Sequence, residues 1–170
     1  MPAGAEDKTA NYTAYQIAQY FIWKDFVDPK NLTHLKLQKL LYLAQGWYLA
    51  YTGKQLFSDR IFAWKFGPVI KDIYHIYKHR GNSELKMSYQ NFSEPNYISL
   101  EVKQFLNKIW DSYAKFDAIV LSELTHIKGS PWSETIRENA GSLDNLENDV
   151  EIPLNRIQMY FRNQLPQQVA

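Results

Sequence analysis

The chain has 170 residues and a mass of 20.0 kDa, a length that suits one domain burying about two thirds of the surface its unfolded chain would expose. It contains no cysteine, which excludes disulfides, thiolate nucleophiles and cysteine-ligated zinc together. The N-terminus has no apolar signal core and no stretch approaches the roughly 18 apolar residues of a membrane span, so a cytoplasmic protein with no membrane partner is expected.

The formal net charge of +1 conceals a division along the chain. Residues 30–86 carry ten basic side chains against three acidic ones, whereas residues 111–151 carry three basic against nine acidic. The ordinary arrangement is that the halves neutralise one another across the fold; the other is a basic face kept for an acidic partner. A pI near 7.8 lies below the basic range of a dedicated nucleic-acid domain, and nucleic acid is not the expected partner. With 5 Trp, 12 Tyr and 9 Phe, much of the core has to be aromatic.

Residues 1–13 are polar and expected to be flexible. From residue 14 to 26, Ala14, Ile17, Ala18, Phe21 and Ile22 recur at the helical period, and Asp28-Pro29 closes the segment. Thr33 is placed to cap a second helix over 34–52, with Gly53 at its C-terminal stop. That helix is apolar on two faces, through Leu37, Leu40, Leu41, Ala44, Tyr48 and Tyr51 and through Leu43, Trp47 and Ala50, so it belongs at the centre of the fold. Gly46 in its middle points to a tight crossing, with a neighbouring backbone packed too close for a Cβ.

Between 54 and 66 the helical period is lost. Phe62, Trp64 and Phe66 alternate with Ala63 and Lys65, which predicts a strand with the aromatics inward and Lys65 outward, paired in a hairpin with 54–58. Gly67 then allows a turn, and Pro68 is expected at the first position of a third helix that buries Val69, Ile70, Ile73, Tyr74 and Tyr77. On this reading Lys65, Lys71, His75 and Lys78 form a positive corner, the candidate partner-binding residues, open to an acidic segment of another protein or to the acidic half of a second copy in a homodimer.

Gly81 ends the third helix and 83–99 reads as a polar loop. Ser99 caps a helix burying Val102, Phe105, Leu106, Ile109, Trp110 and Tyr113; a shorter helix over 116–129 is expected to turn Ile119, Leu121 and Leu124 inward. Ser130 and Pro131 start a further helix that ends at Gly141, residues 142–151 read as an acidic linker, and a last helix begins at 152. The whole predicts a mainly α, compact single-domain helical bundle over 14–163 with a small two-stranded β-hairpin, followed by a flexible tail over 164–170.

Catalytic chemistry finds little support. His75 and His79 stand four apart on a helix, the spacing of two metal ligands, but residue 76 is Ile where a zinc hydrolase carries Glu, no third ligand is evident, and Lys71 and Lys78 repel a cation. No Gly-rich phosphate loop, nucleophile elbow or paired-carboxylate motif is present. The expectation is a protein that is not an enzyme and takes no metal and no cofactor.

LTHLKLQKLLYLAQGWYLAYTG, then AWKFGPV with Tyr74 downstream, then LSELTH followed by Pro131-Trp132, and finally Ile157 before Tyr160-Phe161 resemble the SocA-like, or Panacea-domain, antitoxins from about Tyr15 to Phe161. The resemblance implies a protein that neutralises a toxin encoded beside it by direct protein–protein binding, within a bacterial or prophage toxin–antitoxin pair. One branch of the family acts as an adaptor delivering its toxin to a AAA+ protease, which is the alternative reading; regulation through nucleic acid is another. Some relatives carry an N-terminal DNA-binding domain, for which this chain is expected to have no room. Leu37, Leu40, Leu41, Gly46, Trp47, Trp64, Gly67, Pro68, Pro131 and Trp132 carry the motif and are expected to be scaffold, since each already has a helix, turn or core role.

Overall fold

The computed structural model describes residues 10–86, 93–139 and 149–167. α1 (Ala14–Val27) starts in a capping box in which the Thr13 hydroxyl accepts from the Gln16 N–H while the Gln16 side chain accepts from the Thr13 N–H. α2 (His34–Thr52) is capped by Thr33, whose hydroxyl accepts from the Lys36 N–H, and ends on Gly53 in the left-handed conformation at φ 72°. Its burial on almost every side follows from its position, for α1 and the helices Lys71–Tyr77, Leu100–Tyr113, Ala118–His126 and Leu154–Arg162 all pack against it.

The crossing at Gly46 is with α7 (Leu154–Arg162): an added Cβ would lie 2.2 Å from the ring of Phe161, closer than any real contact. Phe161 in turn meets Tyr42 and Trp47 edge-on at 5.6 and 5.1 Å. α4 (Leu100–Tyr113) begins at the Ser99 cap and buries Val102, Leu106, Ile109 and Trp110, with Phe105 and Tyr113 only partly covered. α5 (Ala118–His126) is capped by Asp117, and α6 (Pro131–Asn139) begins where the Ser130 hydroxyl accepts from the Ser133 N–H.

The small sheet departs from expectation. β1 (Phe62–Trp64) pairs antiparallel with β2 (Gly67–Val69), Trp64 facing Gly67, so Lys65 and Phe66 are the two turn residues of a tight hairpin. Gly67-Pro68 is therefore strand and not helix start; α3 (Lys71–Tyr77) begins three residues after Pro68 and runs into a single 3-10 turn at Lys78–Arg80. Residues 54–58 are not the partner strand, because the Gln45 side chain takes up their backbone: its oxygen accepts from Leu56 and Phe57 and its amide donates to the Phe57 carbonyl. The other neighbour of β1 is β3 (Val150–Glu151), at the end of the segment expected to be an acidic linker, and the sheet order is β2-β1-β3.

Strand alternation also runs opposite to the expected phase. Ala63 is the buried residue of β1; Phe62 and Trp64 lie half-buried on the outer side, and Phe66 at the turn is 67% exposed. Lys65 is exposed as expected, but as a turn residue. In α5 Leu121 is buried as expected, together with Thr125, while Ile119 is 69% and Leu124 38% exposed, against the expected inward placement. The expected stop at Gly141, most of the acidic linker and both chain ends lie outside the described residues.

Candidate protein-binding surface

The hairpin is held from beneath by polar side chains of α2. Gln38 pairs with Ile70 through both amide groups, donating to its carbonyl at 2.9 Å and accepting from its N–H at 2.8 Å, a side-chain substitute for a ladder pair. One residue on, Lys39 is 1% exposed and donates its ammonium to the Pro68 carbonyl at 3.1 Å; burial brings its pKa down to about 7. Gly67 lies directly over this group at φ 108°, and a Cβ there would sit 2.8 Å from Lys39 Nζ, 2.9 Å from Thr125 Oγ1 and 3.0 Å from His126 Nε2. Only glycine meets both demands, the conformation and the space.

α5 and α6 close the same junction from the side. The Trp132 indole donates to the Trp64 carbonyl at 2.7 Å and its ring stacks on His126 with centroids 4.0 Å apart. Burial and the neighbouring Lys39 charge hold the His126 pKa low. The Ser130 hydroxyl donates to the Thr125 carbonyl at 2.8 Å. Leu37, Leu40 and Leu41 have no exposure, Gly46, Pro68 and Pro131 are buried, and Trp47 is half-buried with its indole donating to the Tyr113 hydroxyl. Trp64 is likewise only half-buried and presents its ring to the outside.

That ring belongs to the face where the four basic candidates lie. Trp64 packs edge-on against Tyr74 at 4.9 Å, and Phe62 carries the Lys71 ammonium 3.9 Å above its ring. His75 is exposed with its ring against Tyr74, Lys78 is exposed 5.9 Å from the same ring, and Lys65 stands at the hairpin tip beside Phe66. Lys71 is not free: it is ion-paired with Asp149, which also accepts from the Trp64 indole at 2.9 Å and whose pKa is lowered chiefly by the lysine. Arg60 and Glu151 approach to 3.8 Å across the same strands. The acidic half thus neutralises part of the basic half through β3. Lys65 and Lys78 have no ion-pair partner among the described residues, whereas His75 lies close enough to Asp149 to act on its carboxylate.

Two further surfaces carry apolar side chains. A groove of about 510 Å³ runs between α2 and α4, lined by Trp47, Tyr48, Tyr51, Phe105, Lys108 and Tyr113. The outer side of α5 exposes Ile119, Val120 and Leu124 around Glu123. Among the described residues no group of three or more His, Asp or Glu is placed to share a metal ion.

Residues 37–133, which hold all but the first three residues of α2, the hairpin and the helices as far as the Trp132 anchor, match the family model for the SocA-like antitoxins, Panacea domain. The chain belongs to that family. It is 28% identical over 111 residues to Antitoxin SocA of Caulobacter vibrioides strain NA1000 / CB15N, an alignment covering 59% of this chain and 58% of that protein. The chain therefore spans little more than half the length of this relative. No solved structure matches. The matched Panacea segment stops before β3 and α7, yet α7 supplies Phe161 to the Gly46 crossing and Asp149, just before β3, pairs with Lys71 on the basic face. No described helix is long and apolar enough to cross a membrane.

Proposed function

We propose that the protein is an antitoxin that neutralises a cognate toxin by direct protein–protein contact in the cytoplasm, without catalysis of its own. The observation that carries this reading is the division of labour among the residues of the family motif and their surroundings. Gln38, Lys39, Gly67, Pro68 and Trp132 are committed to a buried frame, while the hairpin and α3 that this frame supports offer solvent an aromatic floor with unpaired cations. A frame held fixed beneath an open, chemically mixed face is what a binding module requires. Lys65, His75 and Lys78 are the contacts this reading assigns to an acidic segment of the toxin, with Lys71 available once Asp149 is displaced.

The test uses the product of the gene beside this one. Expressed alone it should arrest growth, and co-expression of this chain should restore it and co-purify with it. In a mixture of the two purified proteins the toxin should lose activity with no protease present. A toxin that stays active in that mixture but is short-lived in cells would replace inhibition with delivery to a protease.

A further inference from the structure

The basic face already holds one carboxylate. The Trp64 indole donates to Asp149 Oδ1 at 2.9 Å, and the Lys71 ammonium is ion-paired with Oδ2, so each oxygen has its own donor. His75, one turn along α3 from Lys71, acts on the same carboxylate. The donors are fixed from behind. The Trp64 ring rests edge-on against Tyr74 at 4.9 Å, its carbonyl is held by the Trp132 indole at 2.7 Å, and the Lys71 ammonium lies 3.9 Å above the Phe62 ring. The acceptor is held more lightly. The ladder between β1 and β3 ends with Ala63 opposite Val150, one residue short of Asp149, and the Asp149 side chain is 46% exposed. An ion pair so open to water contributes little, and the carboxylate can leave without parting a strand pair.

We infer that Trp64, Lys71 and His75 form a receptor for a single carboxylate, that Asp149 fills it as a stand-in while the protein is free, and that an aspartate or glutamate side chain of the toxin displaces Asp149 on binding. The inference rests on the antitoxin reading above. The chemistry of the occupant is that of the group the site already holds: two donors, one to each oxygen, suit a planar carboxylate. Asp149 brings one negative charge to a face on which Lys65 and Lys78 remain without an ion-pair partner among the described residues. An acidic toxin segment brings further charge to those lysines, which favours the exchange. Asp149 is then an internal competitor, and it lowers the apparent affinity by the fraction of time the receptor stands open. Its removal should therefore strengthen binding, the opposite of what loss of an ordinary contact does.

The experiment is titration calorimetry of the full chain with the toxin encoded beside it. Asp149→Ala should bind roughly three- to fivefold more tightly than the parent, the factor by which an exposed pair suppresses the open form. Glu151→Gln removes the same charge two residues on, beside Arg60, and should gain little. Trp64→Phe/Lys71→Met removes both donors and should bind about 10-fold more weakly, and adding Asp149→Ala to it should bring no gain. If the parent binds and Asp149→Ala binds no more tightly, or Glu151→Gln gains as much, the receptor assignment is wrong while the antitoxin reading stands. A gain from Asp149→Ala that persists without the two donors overturns it equally. If neither the parent nor Asp149→Ala binds, the antitoxin reading fails and the assignment with it. If Asp149→Ala becomes a dimer by sedimentation with toxin affinity unchanged, the receptor takes a second copy of this chain and the toxin assignment is overturned.

Discussion

The Lys39 ammonium and the Pro68 carbonyl, 3.1 Å apart, join the central helix to the hairpin inside the protein, with the lysine side chain almost wholly removed from water. A lysine so placed pays for its charge in desolvation, which is why its pKa falls to about 7. In the unfolded chain the same group keeps its proton to about pH 10.4. Above pH 7 the unfolded state therefore binds more protons than the folded one, and stability rises with pH at up to about 1.4 kcal/mol per unit. Denaturant unfolding at pH 7, 8 and 9 should show this climb, and Lys39→Met should flatten it. The low histidine pKa values of His34 and His126 act below this window and the raised tyrosine values above it.

Gly46→Ala should destabilise the protein by about 3 kcal/mol, at the upper end of overpacking costs, since the new methyl group collides with a ring that is itself packed between Tyr42 and Trp47. Phe161→Leu should be costly alone yet recover part of the loss in the double variant. A double-mutant cycle from urea unfolding checks the coupling.

The two tryptophans Trp110 and Trp64 should differ sharply. Trp110 has no exposure, stacks on Phe21 at 6.0 Å and donates its indole to Asp28 at 2.9 Å, so Trp110→Ala should cost about 3–5 kcal/mol. Trp64→Ala removes a half-buried ring from the outer face of a three-residue strand and should cost nearer 1 kcal/mol. Comparable losses at both positions would place Trp64 in the core after all.

How far these relationships were readable from sequence depended on their range. The Thr33, Ser99 and Ser130 caps, the Gly53 stop and the tight crossing at Gly46 follow from local chemistry, and each is where periodicity and capping put it. The hairpin did not follow. Lys65-Phe66 is not an Asn-Gly or Asp-Gly turn, and Gly67-Pro68, which in sequence reads as a helix start, is strand. The phase of β1 is set by partners remote in sequence, Val69 on one side and Glu151 on the other, with Trp132 holding the Trp64 carbonyl. In α5 Leu121 faces inward as its apolar character suggests, but Ile119 and Leu124 do not, because Thr125 takes the inward position beside it. The buried polar roles of Gln38 and Lys39 carried no sequence signal beyond their place in the family motif.

On the basic face, Lys65→Glu and Lys78→Glu should each leave stability within about 0.5 kcal/mol of the parent, as exposed substitutions do. Their effect should appear in association with the toxin, as a slower on-rate and a weaker dependence on salt. Stopped-flow mixing at two ionic strengths separates these. Unchanged rates in both variants would make the hairpin face scaffold only.

The central claim, neutralisation by direct contact, is tested most directly by adding the purified chain to the purified toxin from the neighbouring gene and measuring toxin activity with no other protein present. Activity should fall to background as the chain reaches equivalence, and a stable complex should elute from gel filtration. Full toxin activity at saturating chain, with the two proteins eluting apart, would contradict the account.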